Sequence, residues 1–292
     1  MVGSEATFRQ RAEQLAAHLP PLLVAAERVA AVVAQGVHGR RRVGAGESFW
    51  QFRRYQTGDE NSRIDWRQSA KSAHVFVREN EWEAAESVWL WCDGSSSMRF
   101  ASRLAHTEKS ERARLLAMAL AVLLVRGGEH VALLGPDRRP STGRSALTRL
   151  AIELSRDDGP GPSLPPGIDL PRYAQIVAIG DFLAPLDEIE ATVKHFAGLG
   201  VRGHLLQVLD PAEETLPFAG RTLFEGLEGE GELLARRAET LRRDYTGRLA
   251  EHRAAIAQFA RAAGWRFGVH HTDQPAQAAL LSLYVALAGH AA

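Results

Sequence analysis

The sequence predicts an α/β fold: a doubly wound, mainly parallel sheet of Rossmann type behind a small β-rich N-terminal subdomain. Three observations carry that expectation. From residue 87 onward, apolar runs of strand length alternate with helical repeats, the pattern of a parallel sheet with helices on both faces. Two of those runs stop abruptly at an aspartate, one at Asp93 and one at Gly180-Asp181. Loops at the carboxyl ends of strands are where open α/β sheets bind ligands. Residues 36–86 lack the alternation and are dense in glycine, aromatics and paired charges. The division expected is a helical segment over 1–35, a charged and aromatic β-rich subdomain over 36–86, and the α/β domain over 87–292.

Residues 4–34 carry a helical pattern interrupted at Pro20-Pro21, which can open a second helix. The apolar stretch 22–33 includes Glu27 and Arg28 and is too short and too charged to span a bilayer. It reads as an amphipathic helix packed on the protein. Arg40, Arg41 and Arg42 lie in a Gly-rich loop, solvated or facing phosphate or an acidic partner. Residues 48–55 alternate aromatic and polar side chains, Gly58-Asp59 marks a turn, and 74–79 reads as a strand with Val75 and Val77 on one face.

The strand 88–92 follows, with the loop from Asp93 to Met98. Leu115, Leu116, Met118, Ala119, Val122 and Leu123 form a wide apolar stripe on a helix over 108–126, stopped by Gly127-Gly128. Strands are expected at 131–134, 175–179, 203–209 and 265–270. Helices are expected at 145–154, 185–199, 232–263 and 275–288. The Gly- and Pro-rich stretch 157–171 reads as a surface loop, and 213–230 as a β excursion.

Thirty-five basic residues balance thirty-five acidic ones, against the basic excess that a nucleic-acid binder needs. The lone Cys92 sits inside an apolar run, excludes an internal disulfide and fits a reducing cytosol. With no signal peptide or membrane span expected, the localisation expected is cytoplasmic. Eleven histidines form no His-Glu-x-x-His pattern, and neither a Walker loop nor a Gly-x-Ser-x-Gly elbow occurs, so no enzyme activity is expected.

Asp93-x-Ser95-x-Ser97 sets one carboxylate and two hydroxyls at alternate positions in a tight loop. Such residues are also ordinary turn and capping residues. As ligands, oxygen donors of low charge suit Mg2+.

Four segments together resemble the signature of bacterial domain-of-unknown-function family 58: Tyr55-x-x-Gly58-Asp59, Arg63-Ile64-Asp65-Trp66-Arg67-x-Ser69-Ala70, Val77-Arg78-Glu79 and Asp93-x-Ser95-x-Ser97-Met98. The resemblance runs from about residue 36 to the C-terminus. That family is similar to von Willebrand factor A domains, so the resemblance implies a von Willebrand factor A-like sheet with a metal-ion-dependent adhesion site. Carried onto this chain, the ligands are Asp93, Ser95, Ser97 and Asp181, with Thr142 as the threonine and Ser141 and Ser145 as its rivals. The ion implied is Mg2+ or Mn2+. Family members travel with AAA+ ATPases of the MoxR type, which implies a protein partner and a role as adaptor or co-chaperone. A metal-dependent protein-interaction module is the function expected. A small Mg2+-dependent hydrolase using Asp93 and Asp181, or a scaffold with a decayed metal site, are the alternatives. Asp59, Arg63, Asp65 and Arg67 are expected to form a charge network that fixes the β-rich subdomain.

Overall fold

Strand β3 (Ser87–Cys92) shows why the sheet is apolar on both faces. Val88 and Leu90 enter one core, and Trp89 and Trp91 the other. The period of two along a strand sends neighbours to opposite sides, and both sides are covered. The same division holds on β5 (Gln175–Gly180), with Val177 and Ile179 against Ile176 and Ala178. In the computed structural model, which describes residues 21–37, 49–54, 69, 71, 75–80, 87–136, 138–156, 159–229 and 231–288, the central sheet is five-stranded and parallel. Its order is β4 (His130–Leu133), β3, β5, β6 (Arg202–Leu209) and β9 (Arg266–His271). The chain leaves β3 for β4 on one side and then crosses to β5 on the other. The order therefore reverses between β3 and β5, a switch point where two strand ends part and leave a crevice.

Helices α1 (Pro21–Val37), α2 (Lys109–Arg126), α3 (Gly143–Leu154) and α7 (Ala276–Ala288) line one face of the sheet. Helices α4 (Leu186–Gly198) and α6 (Ala238–Ala262) line the other. Helix α2 is buried without interruption from Leu116 to Leu124, because it lies between the sheet and α1. Burial all round requires an apolar circumference, which its sequence has. Helix α1 contributes Leu23, Ala26, Ala30 and Val33 to the same core. It groups with the residues from Ser87 onward rather than standing as a separate segment.

The second unit contains an antiparallel pair, β1 (Phe49–Arg54) and β2 (Phe76–Asn80), with Phe52 opposite Arg78. The expected charge network of Asp59, Arg63, Asp65 and Arg67, the motif residues Tyr55, Gly58 and Trp66, and the Arg40–Arg42 loop all lie outside the described residues.

Two elements differ from the sequence reading. The stretch 213–230 opens with a short helix, α5 (Pro211–Thr215), capped by Asp210 and Glu213 in a reciprocal capping box. The long helix starts at Ala238 rather than near Glu232. Residues Glu232–Ala235 (β8) pair antiparallel with Thr222–Glu225 (β7), and the Gly-rich turn between them closes a hairpin. No helix among the described residues is long and apolar enough to cross a membrane.

Candidate functional site

The Asp93 amide donates to Ile179 O at 2.8 Å, so pairing with β5 continues one residue past β3 and delivers Asp93 to the sheet's carboxyl end. Gly94 meets the loop after α3, where Gly161 N donates to Gly94 O at 2.7 Å. A Cβ on Gly94 would stand 3.3 Å from Gly161 Cα, too close for comfort between two backbones. Asp93 Oδ1 accepts from the Ser95 amide at 2.8 Å and from Ser95 Oγ at 2.5 Å. Ser95 Oγ lies 3.0 Å from Ser97 Oγ, and Ser97 Oγ donates to Asp181 Oδ2 at 2.6 Å. Four side chains from two strand ends thus form one chain of oxygens. Each serine proton is directed to a carboxylate, which leaves hydroxyl lone pairs as the remaining donors.

Asp181 reaches this position because Gly180 precedes it. A Cβ on Gly180 would sit 2.7 Å from Asp93 Cβ. Phe182 then takes a positive φ of 48°, a conformation that costs a bulky residue about 1–3 kcal/mol. Its ring is buried in the second core, and its carbonyl is bonded to His252 Nε2 at 2.8 Å. Asp181 O accepts from Gln207 Nε2 at 2.7 Å, and Asp181 Oδ1 from the Leu183 amide at 3.2 Å.

Burial, and after it the Asp181 carboxylate, push Asp93 up to about 7. Its Oδ2 is buried with no hydrogen-bond partner among the described residues. Buried carboxylate oxygens are normally satisfied, so this atom stands out.

Sequence reasoning missed one participant. Lys109, at the start of α2, is fully buried, with Nζ 3.0 Å from Asp181 Oδ2 and 2.6 Å from Glu213 Oε1. Burial alone would lower the ammonium, but Asp181 and Glu213 outweigh it and hold Lys109 above its usual value. Glu213 Oε2 accepts from the Asp210 amide at 2.8 Å, so the end of β6 joins the same network.

Thr142 is not brought to this cluster. It stands at the N-cap position of α3, makes no side-chain capping bond and is exposed. Ser141 pairs with Val131, which stands level with Val88 at the start of β3. At about 3.3 Å per residue, that is roughly 16 Å along the strand from Asp93. Ser145, in the first turn of α3, is exposed as well. The chain after β4 folds back along the sheet edge, so α3 begins at the wrong end of the sheet for all three hydroxyls. The loop that does reach Gly94 is the later one, 159–165, which includes Ser163.

No group of three His, Cys, Asp or Glu able to hold a metal occurs among the described residues. The donors that converge are instead two hydroxyls and two carboxylates, an all-oxygen set suited to a hard cation. Cys92, beneath the site, has its thiol pushed up to about 12 by burial and is inert at neutral pH.

A family model described as "Protein of unknown function DUF58" matches residues 51–255. The chain belongs to that family. Relatives of this DUF58 chain include uncharacterised proteins of Mycobacterium tuberculosis and Mycobacterium bovis, each 28% identical over 95% of this chain and 92% of the relative. Solved structures similar to this DUF58 chain include an aerotolerance-related membrane protein from Bacteroides fragilis and the conserved hypothetical protein BatB from Bacteroides thetaiotaomicron. Both are 17% identical over 70% of this chain and 99% of the other, with TM-scores of 0.41 and 0.40.

Proposed function

We propose that the chain is a metal-dependent protein-interaction module with a von Willebrand factor A-like sheet, acting in the cytoplasm as an adaptor for a MoxR-type AAA+ ATPase rather than as an enzyme. The observation that carries this reading is the convergence of Asp93, Ser95, Ser97 and Asp181 at the switch point, with the buried Asp93 Oδ2 lacking a partner. These four residues would hold Mg2+ or Mn2+. The ion supplies, when bound, an electrophilic position that a partner's carboxylate can fill. The protein's part is to fix the four side chains. Ser95 and Ser97 are tied to the two aspartates, Gly180 lets the strand ends approach, and Gln207 holds the Asp181 backbone. The ATPase assignment rests on the family's habit and on the absence of a Walker loop from the sequence, so that energy-driven work needs a second protein.

Thermal melts in EDTA and in increasing Mg2+ or Mn2+ test the ion. Wild type is expected to melt higher with metal, and Asp93→Ala to show no response while retaining the fold. Identical responses in the two proteins would remove the metal from this site. Co-purification of the cognate ATPase tests the partner, and its failure to bind would end the adaptor assignment.

Lys109 favours a second reading, a scaffold with a decayed metal site. Its ammonium already neutralises Asp181, so the carboxylates have a charge partner without an ion. No response to metal in any variant selects this reading.

A further inference from the structure

The turn of the β7–β8 hairpin brings Glu228 against the site. Its Oε1 lies 3.4 Å from the Ser97 amide, at the loop that carries three of the proposed ligands, Asp93, Ser95 and Ser97. Glu228 is exposed and 131 residues away in sequence, and the turn that presents it is closed by Gly226 N donating to Gly231 O at 2.8 Å. A carboxylate held beside a site that already contains Asp93 and, from the neighbouring strand end, Asp181 is repelled by them unless something at the loop attracts it. The Ser97 amide does so directly. Next in sequence to Glu228, and two residues after Asp181, are leucines that bury little. Leu227, 49% exposed, precedes Glu228, and Leu183, 42% exposed, follows the site's second aspartate by two residues, with its amide bonded to Asp181.

We infer that the Leu227-Glu228 tip is a tethered stand-in for the partner, and that the partner presents an acidic side chain next to aliphatic ones. The inference rests on the adhesive reading of the site and names what that site takes. A carboxylate already placed at Ser97 shows the chemistry that the seat accepts. The two exposed leucines supply apolar area that an acidic residue alone would not use. Because the stand-in is covalently attached, it engages the seat intramolecularly, and a partner must displace it. The hairpin thereby sets a threshold: weak acidic segments are excluded and only those with matching apolar neighbours are admitted.

The full chain is compared with its Glu228→Ala and Glu228→Gln variants, with a synthetic peptide of residues 222–235 as the probe. Glu228→Ala is expected to bind this peptide in Mg2+ at least ten-fold more tightly than wild type, and to ignore the same peptide carrying Glu228→Gln. Amide hydrogen exchange at Ser97 is expected to be faster in Glu228→Gln than in wild type, in Mg2+ and in EDTA alike, since the Ser97–Glu228 contact needs no ion. Equal peptide binding by wild type and Glu228→Ala, together with unchanged exchange at Ser97, would overturn the inference. A wild-type dimer that Glu228→Ala dissolves would also overturn it, by placing the hairpin in a second copy. The adhesive reading fails separately: peptide binding to Glu228→Ala that is identical in Mg2+ and EDTA removes the ion but leaves the stand-in.

Discussion

Asp93 is a buried carboxylate whose proton is held to about pH 7 by burial and by Asp181. An aspartate in an unfolded chain titrates near pH 4, so below neutrality the folded protein binds more protons than the unfolded one. The stabilisation is complete below about pH 4 and is lost as pH rises through 7. In EDTA, the contribution of Asp93 should therefore fall by on the order of 3 kcal/mol between pH 5 and 8, read as the difference in slope between wild type and Asp93→Asn, because His270, whose imidazole is lowered to about 4 by burial, opposes it equally in both proteins. Equal slopes for the two proteins in urea melts would show that Asp93 ionises freely. Lys109→Met should cost about 3–5 kcal/mol, because it leaves the buried Asp181 and the half-buried Glu213 uncompensated. A cost under about 1 kcal/mol in the same melts would mark the group as solvated. Asp93, Ser95, Ser97 and Asp181 were legible because each follows an apolar run that ends abruptly. Lys109 was not, since a lysine in the first turn of a helix normally points to solvent. Nothing in its neighbours Glu108 and Ser110 announces that Asp181 and Glu213 await it.

At the scale of elements, periodicity alone located all five strands of the central sheet to within a residue or two, because each is short, apolar and bounded by turn residues. It failed where one segment's structure depends on a distant partner. Glu232–Ala235 continues smoothly into a helical sequence and becomes a strand only by pairing with Thr222–Glu225. Thr142 failed for a related reason: the direction in which the chain leaves β4 is set by the Val131–Ser141 bridge, not by any residue near Thr142. Close approach between elements gives a sharper test. A Cβ on Gly203 of β6 would fall 2.0 Å from the Trp265 ring, whose Nε1 is anchored to Val201 O at 3.1 Å. Gly203→Ala should cost about 3 kcal/mol or more in thermal or urea denaturation. Gly198→Ala, at the end of α4 where no other element comes within 4 Å of the new methyl, should be nearly neutral. Similar losses at both positions would show that the ring moves aside.

For the molecule as a whole, the sequence divided the chain at about residue 35, whereas α1 shares its core with α2 and α7. A nearly apolar helix with charge only at Glu27 and Arg28 reads as packed on the protein but does not reveal which surface it will cover, so its place in this core was invisible until its partners were set. Leu23→Ala should therefore destabilise the entire α/β unit by about 2–4 kcal/mol, while Val32→Ala, 54% exposed on the same helix, should change little. A melt in which Leu23→Ala matches wild type would return α1 to the status of an appendage. The seating of α1 against both α2 and α7 also bears on how the protein is made. Helix α1 leaves the ribosome well before α7 (Ala276–Ala288) is made. At about 5–20 residues per second, roughly 12–50 s separate the two. Throughout that interval the stripe of Leu23, Ala26, Ala30 and Val33 lacks part of its cover. The nascent chain must be shielded by chaperones, or by α2 alone, until α7 has been made.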